Sequence, residues 1–151
     1  MKDINRFVLA QDSCYQDVLQ EIKQGKKQTH WMWFIFPQIQ GLGRSHMSEM
    51  YSIQNIAEAK QYLQNNLLAE RFIELTTILA EYPEPITAEE IFGFIDKKKF
   101  WSSLTLFLTV IEQYPEININ EKFNCIANCL KRYFDGFHDK RTSEILNSLE
   151  N

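Results

Sequence analysis

Asp96, Lys99 and Ser103 are polar residues that recur at helical spacing just where an apolar stripe begins. At about 100° per residue they fall within one arc of about 60°, flanked or overlapped by Phe100, Leu106, Phe107 and Val110. Burying such groups unpaired costs on the order of 2–7 kcal/mol for a neutral polar group and more for a charge. They must therefore pair with one another, line a wet cleft, or both. The plainer alternative is an Asp–Lys pair at i, i+3 on an exposed first turn, worth about 0.2–0.5 kcal/mol.

A second stretch with chemical content is Thr29-His30-Trp31-Met32-Trp33-Phe34-Ile35-Phe36-Pro37-Gln38, followed by Gly41-Leu42-Gly43-Arg44-Ser45. The unbroken run of large apolar side chains is too long for a one-sided surface element, so it belongs to the core. His30 stands at its mouth, where partial burial can tune an imidazole for proton transfer; a hydrogen-bonding role at the core edge is the competing reading. The Gly41–Ser45 turn offers backbone amides, a cation and a hydroxyl to an anion, although G-x-G without a preceding strand is no dinucleotide fingerprint. Two small basic clusters, Lys26-Lys27 and Lys97-Lys98-Lys99, are each followed closely by tryptophan: Trp31 and Trp33 after the first, Trp101 after the second. Lysines beside large aromatics can hold a phosphate and stack a base. Equally, lysines at a solvated helix end and tryptophans in a core would give the same pattern.

The elements that must position these groups have helical periodicity almost throughout. Tyr15, Val18, Leu19 and Ile22 form one stripe, closed by Gly25. Ile56, Ala59 and Leu63 form another, and Leu68, Phe72, Leu75 and Leu79 a third, stopped by Tyr82-Pro83-Glu84-Pro85. Thr87 and Glu90 fit a capping box for a short helix through Ile91 and Phe92, which Gly93 ends. Asp96 then caps a longer helix to about Gln113. Phe123, Ile126, Ala127, Leu130 and Phe134 mark the next, before Gly136, and a last helix spans about Thr142 to Leu149. No alternating strand, repeat or linker interrupts this. The expectation is an all-α fold, a single compact multihelical domain over residues 1–151, with Trp33, Phe36, Phe107, Leu130 and Phe134 largely buried.

Composition narrows the classes. The chain has 151 residues, 44% hydrophobic and 24% charged, with five Gly and four Pro, which is ordinary for a globular domain. Its net charge of −4 argues against bulk duplex nucleic-acid binding. No apolar run reaches the roughly 18 residues needed to span a membrane, and no signal-peptide core opens the chain, so a cytoplasmic protein is expected. Cys14, Cys125 and Cys129 are read as buried, reduced thiols. Three scattered histidines and one helical cysteine pair make no metal-ligand set, and no cofactor is called for.

Several of these motifs occur together in one order: T-H-W-M-W-F-I-F-P-Q at 29–38, G-L-G-R-S at 41–45, Tyr51 with Ile53, I-F-G at 91–93, D-x-x-K-x-x-S-S-x-T-L-F from Asp96 to Phe107, and Y-F-x-G-x-x-D-x-x-T from Tyr133 to Thr142. In this the chain resembles the bacterial domain-of-unknown-function 1810 family, sometimes labelled calpastatin-like. The resemblance implies a compact all-helical fold and brings no activity, substrate or catalytic set. The calpastatin label finds no support, since an inhibitor of that kind is a disordered polar chain. The segment Gln113 to Asn124 is longer than the usual family connection.

The residues themselves suggest a cleft built from the His30 segment, the Gly41–Ser45 turn and the Asp96 helix. Its ligand would be a small anion of nucleotide type such as ADP-ribose, with hydrolysis as a further step. Trp31, Trp33, Gln38, Gly41, Gly43, Arg44, Ser45, Lys99, Ser102 and Ser103 are the ligand-binding candidates, and His30 and Asp96 the catalytic ones. The alternative is a non-enzymatic protein-interaction module whose aromatic segment is simply core. Clustering of His30, Asp96 and Lys99 around an open pocket would favour the first, and their dispersal the second. The oligomeric state is not legible.

Overall fold

The computed structural model describes residues 2–149. Its helices are set by local signals at their ends. Asp3 accepts from the Asn5 amide at 2.8 Å and opens α1 (Asn5–Asp12), and α2 (Tyr15–Lys23) ends before Gly25 at φ +73°. The aromatic run yields one short helix, α3 (Met32–Ile35). Ser45, Asn55 and Asn65 each accept an amide of the following first turn, starting α4 (His46–Tyr51), α5 (Ile56–Gln64) and α6 (Asn66–Ala80). The expected capping box at Thr87 and Glu90 is present, both bonds at 3.1 Å, and opens α7 (Ala88–Gln113). Two 3-10 turns occupy Pro115–Ile117 and Ile119–Glu121. Then come α8 (Asn124–Phe134) and α9 (Lys140–Leu149).

Gly93, at φ +86° and ψ 170°, breaks α7 into a short first part and a long second part, as expected. Asp96 is not the cap of the second part, however. The helix resumes directly after Gly93, and Asp96 sits in its first turn. Gly93, the non-helical residue at the break, holds the cap position itself, a place where glycine is well tolerated, and Asp96 falls three residues inside.

Among the described residues the fold is all-α, about 70% helical, with a lone parallel bridge between Ile39 and Ile53. The helix α6 packs against α8, α5 and α2, while α7 packs against α8, α5 and α9. Phe36 ties the aromatic segment into the centre: its ring lies 5.6 Å from Phe72, 5.9 Å from Phe92 and 5.0 Å from Phe100. Phe36, Phe107 and Leu130 are buried, as expected. Trp33 and Phe134 are only half-buried, because each stands at the rim of a surface depression. All three cysteines are free; Cys125 and Cys129 are buried as expected, whereas Cys14, just ahead of α2, is only half-buried. Among the described residues no helix is long and apolar enough to cross a membrane.

Candidate functional site

The loop from Lys26 to Trp31 is fixed by one buried carboxylate. Glu21, on the inner face of α2, accepts from the Gln28 amide at 2.6 Å, the Thr29 amide at 2.9 Å, the Thr29 hydroxyl at 2.6 Å and the Trp31 indole at 3.0 Å. Burial works to raise the pKa of Glu21, but these four donors outweigh it and hold the carboxyl below its ordinary value. The Lys27 amide donates to the Ile91 carbonyl at 2.7 Å, just ahead of the Gly93 break. The loop and the break together set Lys27 against Asp96, whose Oδ2 lies 2.9 Å from Lys27 Nζ.

Asp96 is shared between two lysines. Its Oδ1 is 3.6 Å from Lys99 Nζ, a looser approach than that of Lys27. Lys27 is 9% exposed and Lys99 22%, so Lys99 is the more accessible cation and the less fully neutralised one. Its ammonium stands 5.1 Å from the centroid of the Trp33 ring. One turn further along α7, Ser103 is fully buried, and among the described residues its hydroxyl has no hydrogen-bond partner.

Trp33 links this cluster to the glycine turn. With Gln38, Gly43, Ser48 and Tyr51 it lines a small cavity of about 10 Å³, room for one water-sized group. The bridge residues pin that turn: the Gln40 amide donates to the Ile53 carbonyl and the Ile53 amide to the Gln38 carbonyl, both at 2.8 Å. Gly43 is tight against Ser48, since a Cβ there would lie 2.5 Å from Ser48 Oγ.

The structure thus brings Asp96, Lys99, Trp33, Gln38 and Gly43 into one neighbourhood and places the other candidates elsewhere. Trp31 is core, 1% exposed. His30 is exposed, and among the described residues no hydrogen bond or ion pair joins it to Asp96. Arg44 is exposed on the turn, Gly41 at φ +108° abuts Ile145 of α9, and Ser45 caps α4. Ser102 Oγ lies 2.8 Å from Asp139 Oδ2, where α7 meets α9. Asp139 also accepts from the Thr142 hydroxyl, and its amide donates to Thr105. Ser102 therefore belongs to a helix-joining network.

Lys27, which pairs with Asp96, and Glu21, which fixes the loop that carries it, are the members of this cluster that sequence reasoning left out of the candidate set. Lys27 had a signal, the Lys26-Lys27 cluster ahead of two tryptophans. Glu21 had none, since at about 100° from Ile22 it falls outside the apolar stripe of its helix. Among the described residues no group of three or more His, Cys, Asp and Glu is placed to hold a metal.

A family model described as a protein of unknown function, DUF1810, matches residues 1–146. The chain belongs to the DUF1810 family. Its fold is shared by the conserved hypothetical protein Rv1873 from Mycobacterium tuberculosis, whose crystal structure is 37% identical in sequence, superposes with a TM-score of 0.86, and is matched over 96% of each chain. No functionally curated protein matches it. The family assignment therefore fixes the fold of this DUF1810 protein and leaves its chemistry to be argued from the site.

Proposed function

We propose that this DUF1810 protein binds a small phosphate-bearing ligand of nucleotide type, such as ADP-ribose, beside Lys99 and Trp33, next to Gly43 of the glycine turn. One observation carries the proposal: two lysines share the Asp96 carboxylate, and the looser partner, Lys99, presents its charge beside the half-exposed Trp33 ring. An anionic oxygen would complete the neutralisation of Lys99, and a ring would find an aromatic face on Trp33. The cavity of about 10 Å³ is too small for a sugar or base, so such a ligand would lie across its mouth, within reach of Gln38 and the turn. Stacking falls to Trp33, since Trp31 is buried. Hydrolysis would further require ligand binding to draw the exposed His30 towards Asp96.

The second reading, a non-enzymatic interaction module with the aromatic segment as core, is favoured by the burial of Trp31, Met32, Phe34, Ile35 and Phe36 and by the dispersal of His30 and Arg44. Thermal melting against nucleotides, ADP-ribose and inorganic phosphate separates the two. The ligand reading expects a raised midpoint in the wild type that Lys99→Met abolishes. A panel without effect on the wild type supports the module.

A further inference from the structure

The opposite side of α7 carries a separate and larger depression. Beyond the Gly93 break, Phe94, Lys97, Lys98 and Trp101 fall on an arc centred about 180° from that of Asp96, Lys99 and Ser103. Of these, Lys97, Lys98 and Trp101 line a groove of about 320 Å³ whose far wall is Tyr133 and Phe134 of α8, a volume at the lower end of ordinary small-molecule sites. Its aromatic walls are held rigidly. The Trp101 indole donates to the Phe137 carbonyl at 2.7 Å, and its ring stacks on Phe134 at 5.4 Å with an interplanar angle of 13°. The Tyr133 hydroxyl donates to the Leu79 carbonyl at 2.6 Å. Both aromatic polar atoms are thereby committed to the protein, and the rings present mainly apolar surface to the groove.

The charge on the rim is unbalanced. Lys97 pairs with Glu89 at 2.7 Å, whereas among the described residues no carboxylate reaches Lys98, whose ammonium lies 4.2 Å from the centroid of the Phe94 ring. Glu89, Lys97 and Lys98 together leave one positive charge beside a fixed aromatic wall. We propose that this groove binds a small planar aromatic molecule carrying a single negative charge, with its ring against Trp101 and Tyr133 and its anionic group at Lys98. This site is distinct from the one at Lys99 and stands or falls separately from it.

The test is a titration with 2-naphthoate, and with its neutral counterpart 2-naphthamide, followed through the Trp101 indole N–H resonance, which is identified by its loss in Trp101→Phe. Naphthoate should bind saturably with a Kd of about 1 mM or tighter, as ordinary ligand efficiency gives for a probe of that size. Naphthamide should bind about two- to fivefold more weakly, the discrimination expected of one exposed ion pair. Lys98→Gln, a change at an exposed position, should remove the preference, and Lys60→Gln, whose lysine lies near Glu116 instead, should preserve it. The proposal is overturned if Trp101 shows no saturable shift, if wild type binds both probes equally, or if the preference survives Lys98→Gln. It is also overturned if the Trp101 signal moves on dilution without ligand, because a second copy of the chain would then be the occupant.

Discussion

Glu21 offers the sharpest physical test of how the Lys27 loop is held. Glu21→Gln keeps the shape of the side chain and one acceptor oxygen, so the donors that meet Oε1, namely the amides of Gln28 and Thr29 and the Trp31 indole, retain a neutral partner. The Thr29 hydroxyl can reverse and accept from the new amide. What is lost is the charge on several coupled hydrogen bonds, about 1.5–3 kcal/mol in all when non-additivity is allowed for. Glu21→Ala goes further and strands the buried Trp31 N–H, at about 3–4 kcal/mol. Urea unfolding at several pH values reads both the size and the cause. The folded carboxyl titrates below its ordinary value of 4.5, so below that value the unfolded state binds more protons than the folded one. The stabilisation is complete above the unfolded pKa and is lost as pH falls through the folded one. The gap between wild type and Glu21→Gln should therefore narrow as pH drops below 4.5. A gap under about 0.5 kcal/mol at neutral pH, or one that does not change on acidification, would refute the reasoning.

Three further outcomes follow from the packing. Phe107→Ala, at a fully buried ring 5.1 Å from Tyr62 and 5.0 Å from Phe72, should cost about 3–5 kcal/mol in a denaturant titration; a loss under about 1 kcal/mol would contradict the core assignment. Thiol counting on unfolded, unreduced protein should find all three cysteines free, and a count of one would contradict it. Gly43→Ala should drive a methyl into Ser48 and displace the turn, weakening any ligand held at Lys99 by roughly tenfold or more in titration calorimetry; unchanged affinity would remove the turn from the site.

Much of the architecture was legible because single residues dictate it. Thr87 with Glu90 opens α7, Gly93 breaks it, and the Leu68–Phe72–Leu75–Leu79 stripe is α6. Three helices escaped for want of a stripe: α1 buries only Phe7 and Gln11, α4 buries nothing, and α3 lies in a run that is apolar on every side. The shared face of Asp96, Lys99 and Ser103 followed from helical angles alone. Their neighbours did not, because the partner of Asp96 arrives from a loop that a distant carboxylate, Glu21, fixes by tertiary hydrogen bonds. Burial of Trp31 and exposure of Trp33 could not be separated either: in a helix of four residues inside an apolar run, only the packing of Phe36 against Phe72 and Phe100 decides which ring turns inward.

The most direct test of the proposed ligand site is the amide and indole spectrum of the protein titrated with ADP-ribose, compared between wild type and Lys99→Met. The account predicts saturable shifts centred on Trp33, Gln38, Gly43 and Lys99 in the wild type, and affinity weakened about tenfold or more in the variant, the worth of a hydrogen bond to a charged group. Shifts centred elsewhere, or equal affinity in the two proteins, would contradict it.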